Sequence, residues 1–600
     1  MLGVASRIAV CSAFPSVNLV RDRRPGPFSG GVVMKKLINH PAAVVEDMVE
    51  GLVAVFPGLR RLAGQTVLVR TEIPDPATRR VAVISGGGSG HEPAHAGYVG
   101  RGMLSAAVAG DVFTSPSPDA VLPAIRATAG PAGALLIIKN YTGDRLNFGV
   151  AAELARAEGI PVETVVVADD VALAASAGHA GRRGLAGTIL VHKVAGAVAE
   201  SGAPLTAVAA AARAAAAAVR TMGLALSSCT VPAAGRPGFT LAETEIELGL
   251  GIHGEPGVRR GPLEPADVLV DRLLDAILAE PALAAGARVV LLINNLGATP
   301  PMELALVARR AVAVLESRGA MVERAYLGTF LSALDMAGVS LSVLTVDDER
   351  LSHLDAPTDA PAWPNAAARP RRPAPPAEAP PLSRPATPAS SGPHTPVGMA
   401  LESAILTATQ ALIEAGPRLT TMDQVVGDGD LGISLERGSR AVRQEVPTYP
   451  LDDPAAALHA LAVTLQHSLG GTSGPLYAAF FLRASASLGR GAADDAQIWA
   501  TAFRAGCAAI AELGGAAAGD RTMLDALLPA AAAFQEAVSS RRSRTEALRS
   551  ATDAAAEGVR ATAKMVPRRG RSSYLGERVL GYPDPGAEAV AVVLDALARS

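Results

Sequence analysis

Three carboxylates, Asp423, Asp428 and Asp430, fall within eight residues and are hinged by Gly427 and Gly429. Anions held that close repel one another unless a hard cation neutralises them, and magnesium takes a few carboxylates together with phosphate oxygens. The spacing suits a metal–nucleotide site, with a solvated acidic turn as the competing reading. In the first half of the chain, reactive side chains stand on glycine-rich ground. His91 ends the run Gly86-Gly87-Gly88-Ser89-Gly90; Lys139, Asn140, Tyr141 and Asp144 close an apolar segment; His253 has Gly251 two residues before it and Gly254 directly after. Glycines let a ligand approach the main chain and leave an imidazole uncrowded. A neutral imidazole is both a base and a nucleophile, although a lone histidine is more often a surface or hydrogen-bonded core residue.

Several common motifs are excluded. No Gly-Lys-Ser/Thr follows the first glycine cluster, so it is not a P-loop. The residue two after Ser89 is His91 rather than glycine, so it is not a nucleophile elbow. His91-Glu92-Pro93-Ala94-His95 matches the letters of a helical zinc motif, but Pro93 fits only a helix's first turn and leaves His91 on the preceding loop. In the second half, Gly470-Gly471-Thr472-Ser473-Gly474 lies between two helical segments, where loop N–H groups and a helix N-terminus can hold phosphates. The polar stretches 519–523, 570–574 and 584–586 add further loops at what reads as one rim of a bundle.

Elements must position these groups. Residues 81–85, 134–139, 162–167, 287–295 and 341–346 read as buried strands, and 119–129, 148–158, 205–221 and 302–317 as helices between them. That alternation predicts an α/β domain over 34–356 with mostly parallel sheets, in two lobes that divide near residue 220. Residues 357–398 hold thirteen prolines and almost no large apolar side chain. Such a segment reads as a Pro-rich linker with a reach of up to ~130 Å. From 399 to 600, helical periodicity over 402–415, 455–469, 476–488, 495–513, 523–539, 545–566 and 587–599 predicts an all-α helical bundle.

Six hundred residues exceed what one core can organise. Hydrophobic content of 49% with 18% charged residues and a net charge of −3 describes soluble material without a basic face for nucleic acid. No apolar run reads as a bilayer span. Cys11, Cys229 and Cys507 form no pattern, which suits a reducing, cytoplasmic compartment. Residues 1–33 read as a disordered extension, or as sequence upstream of a start at Met34, and make a poor secretory signal.

These motifs together resemble the dihydroxyacetone kinases. Residues 34–356 are similar to their substrate-binding subunit and 399–600 to their nucleotide-binding subunit. The stretches that carry the resemblance are 85–93, 139–144, 249–257, 294–300, 427–432, 469–474, 519–525 and 570–578, and Met34-Lys35-Lys36-Leu37-Ile38-Asn39 looks like a family start. The resemblance implies that His253 holds a ketone as a covalent hemiaminal, and that His91 and Asp144 bond the substrate and help take the proton from its attacking hydroxyl. Gly88, Ser89, Gly90 and Lys139 match further substrate contacts. Asp423, Asp428 and Asp430 match ligands of two Mg2+ ions. Leu431, Gly432, Ile433, Ser434, Thr472, Ser473, Gly514, Met523, Arg571, Asp584, Pro585 and Gly586 match contacts to ATP. Leu431 departs from the histidine or cysteine often found there, which a backbone contact would survive. The implied activity is ATP-dependent phosphorylation of dihydroxyacetone, glyceraldehyde or erythrulose by a homodimer. The alternatives are a phosphoenolpyruvate-linked enzyme that needs a separate carrier protein, or a non-catalytic ligand-binding module. A side activity that cyclises FAD, as in some animal relatives, stays open.

Overall fold

The computed structural model describes residues 35–173, 181–279, 283–284, 286–365, 395–489 and 495–599. The expectations for residues 1–33 and for Met34 lie outside these. The chain divides into two compact units, with the boundary between Pro376 and Ala377.

In the first unit, one six-stranded sheet is built from β1 (Leu59–Arg61), β2 (Val67–Arg70), β3 (Ala82–Ser89), β4 (Ala106–Val112), β5 (Ala134–Lys139) and β6 (Val162–Val167), in the order β1-β2-β4-β3-β5-β6. The second contains β7 (Val219–Ala225), β8 (Glu245–Leu248), β9 (Arg259–Pro262), β10 (Arg288–Asn295), β11 (Met321–Gly328) and β12 (Gly338–Thr345), in the order β11-β10-β12-β7-β8-β9. The division near residue 220 therefore holds, with the expected helix ending at Ala218 and Val219 opening a strand.

The expectation of mostly parallel sheets needs correction, because both sheets are mixed. β4-β3-β5-β6 run parallel, whereas β1 and β2 are antiparallel. In the second sheet only β10 and β11 are parallel. The cause is local: loops rather than helices join β1 to β2, β7 to β8 and β8 to β9, and antiparallel neighbours need no helical crossover.

The helices of this unit are α1 (Val44–Val55), α2 (Pro118–Thr128), α3 (Thr142–Ala157), α4 (Thr188–Glu200), α5 (Leu205–Ala218), α6 (Ala266–Ile277), α7 (Pro301–Ser317) and α8 (Asp348–Asp355). Every residue of α4 from Thr188 to Ala199 is buried, in a core that takes side chains from strands of both sheets, among them Leu135, Ile137, Val290 and Leu292. Residues 357–365 are not part of a tether. Ala360 and Trp363 are buried, the Trp363 ring lies 4.7 Å from that of Tyr326, and Asn365 is hydrogen-bonded to both backbone groups of Thr358. The single tryptophan among the prolines supplies the apolar area that seals this segment onto the domain. Residues 366–394 lie outside the described set.

The second unit is all-helical, as expected, with no strand among its described residues. It comprises α9 (Pro396–Val426), α10 (Leu431–Glu445), α11 (Pro454–Ser468), α12 (Ser473–Leu488), α13 (Ala496–Gly514), α14 (Leu524–Ser539), α15 (Arg544–Thr562) and α16 (Pro585–Arg599). Its first helix among the described residues starts at Pro396, capped by Thr395, a few residues before the expected start of the helical domain at 399. Contrary to the expectation of no membrane-length segment, α9 is long and apolar enough to cross a bilayer by length and composition. Here it packs against α10 and α16 and carries Asp423 in its last turn.

Candidate active site

The glycine cluster, beyond the strand expected over residues 81–85, continues that strand. β3 runs through Gly86, Gly87 and Gly88 to Ser89, paired with β4. A Cβ at Gly86 would run into the carbonyl oxygen of Val108, and one at Gly88 would sit 2.5 Å from the Thr114 nitrogen. The glycines are there because β4 and the residues after it pass too close for side chains. A Cβ at Gly87 would lie 2.6 Å from Lys139 Nζ and 3.5 Å from Asp144 Oδ2, so the lysine and the carboxylate converge on the same bare backbone. Lys139 ends β5 and is fully buried; Asp144 is buried in the first turn of α3.

His91 follows directly, in a turn rather than a helix, as the exclusion of the zinc motif requires. Its Nδ1 is 2.9 Å from the carbonyl oxygen of Ser332, and the Ser332 N–H donates back to the His91 carbonyl at 3.1 Å. Its Nε2 is buried and has no partner. His253 comes from the loop between β8 and β9, and its ring centroid lies 5.0 Å from that of His91 and 4.5 Å from that of Tyr141, both edge to face. The Tyr141 hydroxyl is also buried without a partner. Orphaned buried polar atoms are costly, and two of them beside a pair of imidazoles mark the place of a small polar ligand.

Electrostatics keep the imidazoles neutral. Burial, then the charges of Lys139 and Arg183, pushes the His253 pKa down to about 3. Burial with Lys139 and His253 holds His91 well below the usual histidine value. Burial also lowers Lys139, opposed by Asp144 and Glu92. Ser89 directs its hydroxyl to the Gly110 carbonyl at 2.7 Å, and the Gly90 N–H donates to the Glu92 carboxylate. The predicted substrate residues Gly88, Ser89, Gly90, His91, Lys139, Asp144 and His253 are thus gathered where β3, β5 and the β8–β9 loop meet.

Sequence reasoning missed the residues that hold this arrangement. Arg183 donates to Asp170 Oδ2 at 2.7 Å, to the Gly249 carbonyl at 2.6 Å and to Glu255 Oε1 at 3.3 Å, while Glu255 Oε2 accepts the His253 N–H at 2.8 Å. One guanidinium thereby ties the His253 loop to the segment after β6. Phe113 stacks on His91, and His95 meets Lys139 Nζ at 3.0 Å through its Nε2. Of these, only Glu255 and His95 stood inside motifs already singled out; Arg183 and Phe113 carry no local signal.

In the helical unit, ligand atoms of Asp423, Asp428 and Asp430 lie within 4.8 Å of one another, the only such cluster among the described residues. Asp423 closes α9 and Asp430 precedes α10, so the Gly427–Gly429 hinge folds them together. Burial raises the Asp423 pKa, and the neighbouring Asp428 and Asp430 add to it. This set of hard oxygen donors fits magnesium. The Leu431 N–H donates to Asp423 Oδ2 at 3.1 Å, so position 431 contributes through its backbone. Arg571 pairs with Asp428 at 2.7 Å.

The other predicted nucleotide residues occupy helix ends. Thr472 and Ser473 open α12, Gly514 ends α13, Met523 precedes α14, and Pro585 and Gly586 start α16. A Cβ at Gly586 would lie 3.7 Å from that of Met523, and Ser434 faces Gly470. Asp584 caps the Ala587 N–H at 2.8 Å and is raised by burial to about 6. Ile433 is exposed, whereas Gly432 is buried at the α9–α10 crossing, where a Cβ would meet the Gly416 carbonyl.

Residues 50–362 match the Dak1 domain and residues 425–599 the DAK2 domain. The chain is 44% identical to human triokinase/FMN cyclase over 94% of its own length and 98% of the relative's. It is 38% identical to the D-erythrulose kinase of Mycolicibacterium smegmatis, covering 93% and 97%. The crystal structure of the dihydroxyacetone kinase from C. freundii in complex with AMP-PNP and Mg2+ aligns with a TM-score of 0.60 at 36% identity, over 94% of this chain and all of that one. With both domains in one polypeptide and relatives matched nearly end to end, the chain belongs to the dihydroxyacetone kinase family.

Proposed function

We propose that this protein is an ATP-dependent kinase of dihydroxyacetone or a related short ketose or aldose such as glyceraldehyde or erythrulose. The observation that carries this reading is His253 itself, a buried, neutral imidazole facing His91 and the unpartnered Tyr141 hydroxyl. Its unprotonated ring nitrogen adds to the substrate's carbonyl carbon. The C=O π pair moves to oxygen, which gains a proton as the ring loses its own, leaving a neutral hemiaminal. A polyol such as glycerol has no electrophilic carbon and is rejected. Asp144, with His91, then takes the proton of the terminal hydroxyl as the hydroxyl oxygen bonds to the γ-phosphorus and the bond from that phosphorus to the departing ADP oxygen breaks, and Lys139 balances the charge. Asp423, Asp428 and Asp430 would hold magnesium, two ions by family analogy, which supplies charge neutralisation for the triphosphate. Cytoplasmic residence and a homodimer complete the proposal.

The test is turnover by the purified protein with MgATP and no other component. Stoichiometric ADP and sugar phosphate from dihydroxyacetone, glyceraldehyde or erythrulose, with none from glycerol, supports the reading. Absolute dependence on an added phosphocarrier protein, or equal use of glycerol, contradicts it.

A further inference from the structure

Two bulky apolar residues hold left-handed backbone on either side of Gly90. Phe113, directly after β4, has φ of 57°, and Leu334, between β11 and β12, has φ of 56°. Left-handed backbone is normally left to glycine, asparagine or aspartate, and bulky residues held there mark a constraint imposed by function or packing. The two act as a pair: the Phe113 N–H donates to the Ser89 carbonyl at 2.9 Å and the Leu334 N–H to the Gly90 carbonyl at 2.8 Å. A Cβ at Gly90 would lie 2.9 Å from the Phe113 ring and 3.1 Å from Leu334. The strand end that presents His91 is clamped between them.

The Phe113 ring does more than fill space. It stacks on His91, with centroids 5.1 Å apart and planes 18° apart, and meets the edge of His253 at 5.3 Å and 78°. One aromatic ring therefore packs against both histidines. We propose that Phe113 is a positioning residue for the ketone-binding step: its left-handed backbone delivers a ring that orients His91 and His253 toward the same ligand. This deepens the proposed function and rests on it for the kinetic readout alone. The charged and titratable groups facing His253 are His91, Lys139, Tyr141, Arg183 and Glu255; Phe113 is the uncharged wall among them.

Phe113→Gly in the full-length protein suits the backbone conformation while deleting the ring, and Phe113→Leu keeps apolar volume without it. The proposal expects both variants to lose kcat/KM for the ketone, on the order of 10–100-fold, with KM for MgATP unchanged, and Phe113→Tyr to recover most of the loss. Histidine NMR titration gives a readout independent of turnover: without the ring, water reaches His253 and its midpoint moves up toward the usual value. Should the wild type turn over no ketose, the kinase reading fails by itself and the titration still decides this proposal. Wild-type kinetics and an unmoved His253 midpoint in Phe113→Leu, or a Phe113→Tyr variant as impaired as Phe113→Gly, would overturn it.

Discussion

A histidine held neutral by burial changes what pH can do to this site. With the folded pKa of His253 near 3 and an ordinary histidine near 6.5, the imidazole stays a nucleophile through mildly acidic solution. Between those values the unfolded chain binds a proton that the folded chain does not. Stability therefore falls as pH drops below the ordinary histidine value, while ketone binding by the surviving folded protein does not. A free imidazole would lose its nucleophilic form in mild acid, whereas burial and the charges of Lys139 and Arg183 hold this one neutral there. The ketone kcat/KM profile is expected to show no histidine limb between pH 5 and 7; a limb near 6.5 in the wild type would contradict the assigned environment. His91, Lys139, Asp144 and His253 were legible because each stands in a short run of glycines, at a strand end or in the polar stretch just after one. Arg183 and Phe113 were not, since their importance comes from which distant loop they meet.

Among the elements, glycines decide how closely backbones pass. The strand β3 was foreseen, yet its continuation through Gly86–Gly88 was not, because glycine clusters usually signal turns. Pairing with β4 settles the matter and puts His91 at the strand's end. In the helical unit, Gly432 lets α10 cross α9 and so brings Asp430 back to Asp423. A Cβ there would meet the Gly416 carbonyl and lie 2.7 Å from the Thr420 nitrogen. Gly432→Ala should destabilise this unit by roughly 1–3 kcal/mol and raise the magnesium concentration needed for half-maximal activity. Denaturant unfolding and a magnesium titration measure both, and an unchanged unfolding midpoint would show that the crossing is looser than described. Helix periodicity was clear through most of this half of the chain, but α10 and the continuation of α9 past residue 415 were not foreseen, nor was the mixed strand order of the α/β half. Strand direction depends on connections that a run of apolar residues does not record.

At the scale of the molecule, the ketone site and the aspartate triad sit in different compact units joined by one continuous chain. Tethering raises the effective concentration of one unit at the other without adding a contact. A protease site placed within residues 366–394 tests this. After cleavage, MgATP binding to the helical unit should persist while turnover becomes dependent on protein concentration; turnover that stays independent of dilution would mean that the units hold together without the tether. The most direct test of the whole account is the 13C NMR spectrum of carbonyl-labelled dihydroxyacetone bound to the wild-type protein and to His253→Ala. The expected result is a tetrahedral carbon in place of the carbonyl signal in the wild type and its absence in the variant. An intact carbonyl on saturated wild-type protein, or the same adduct without His253, would contradict it.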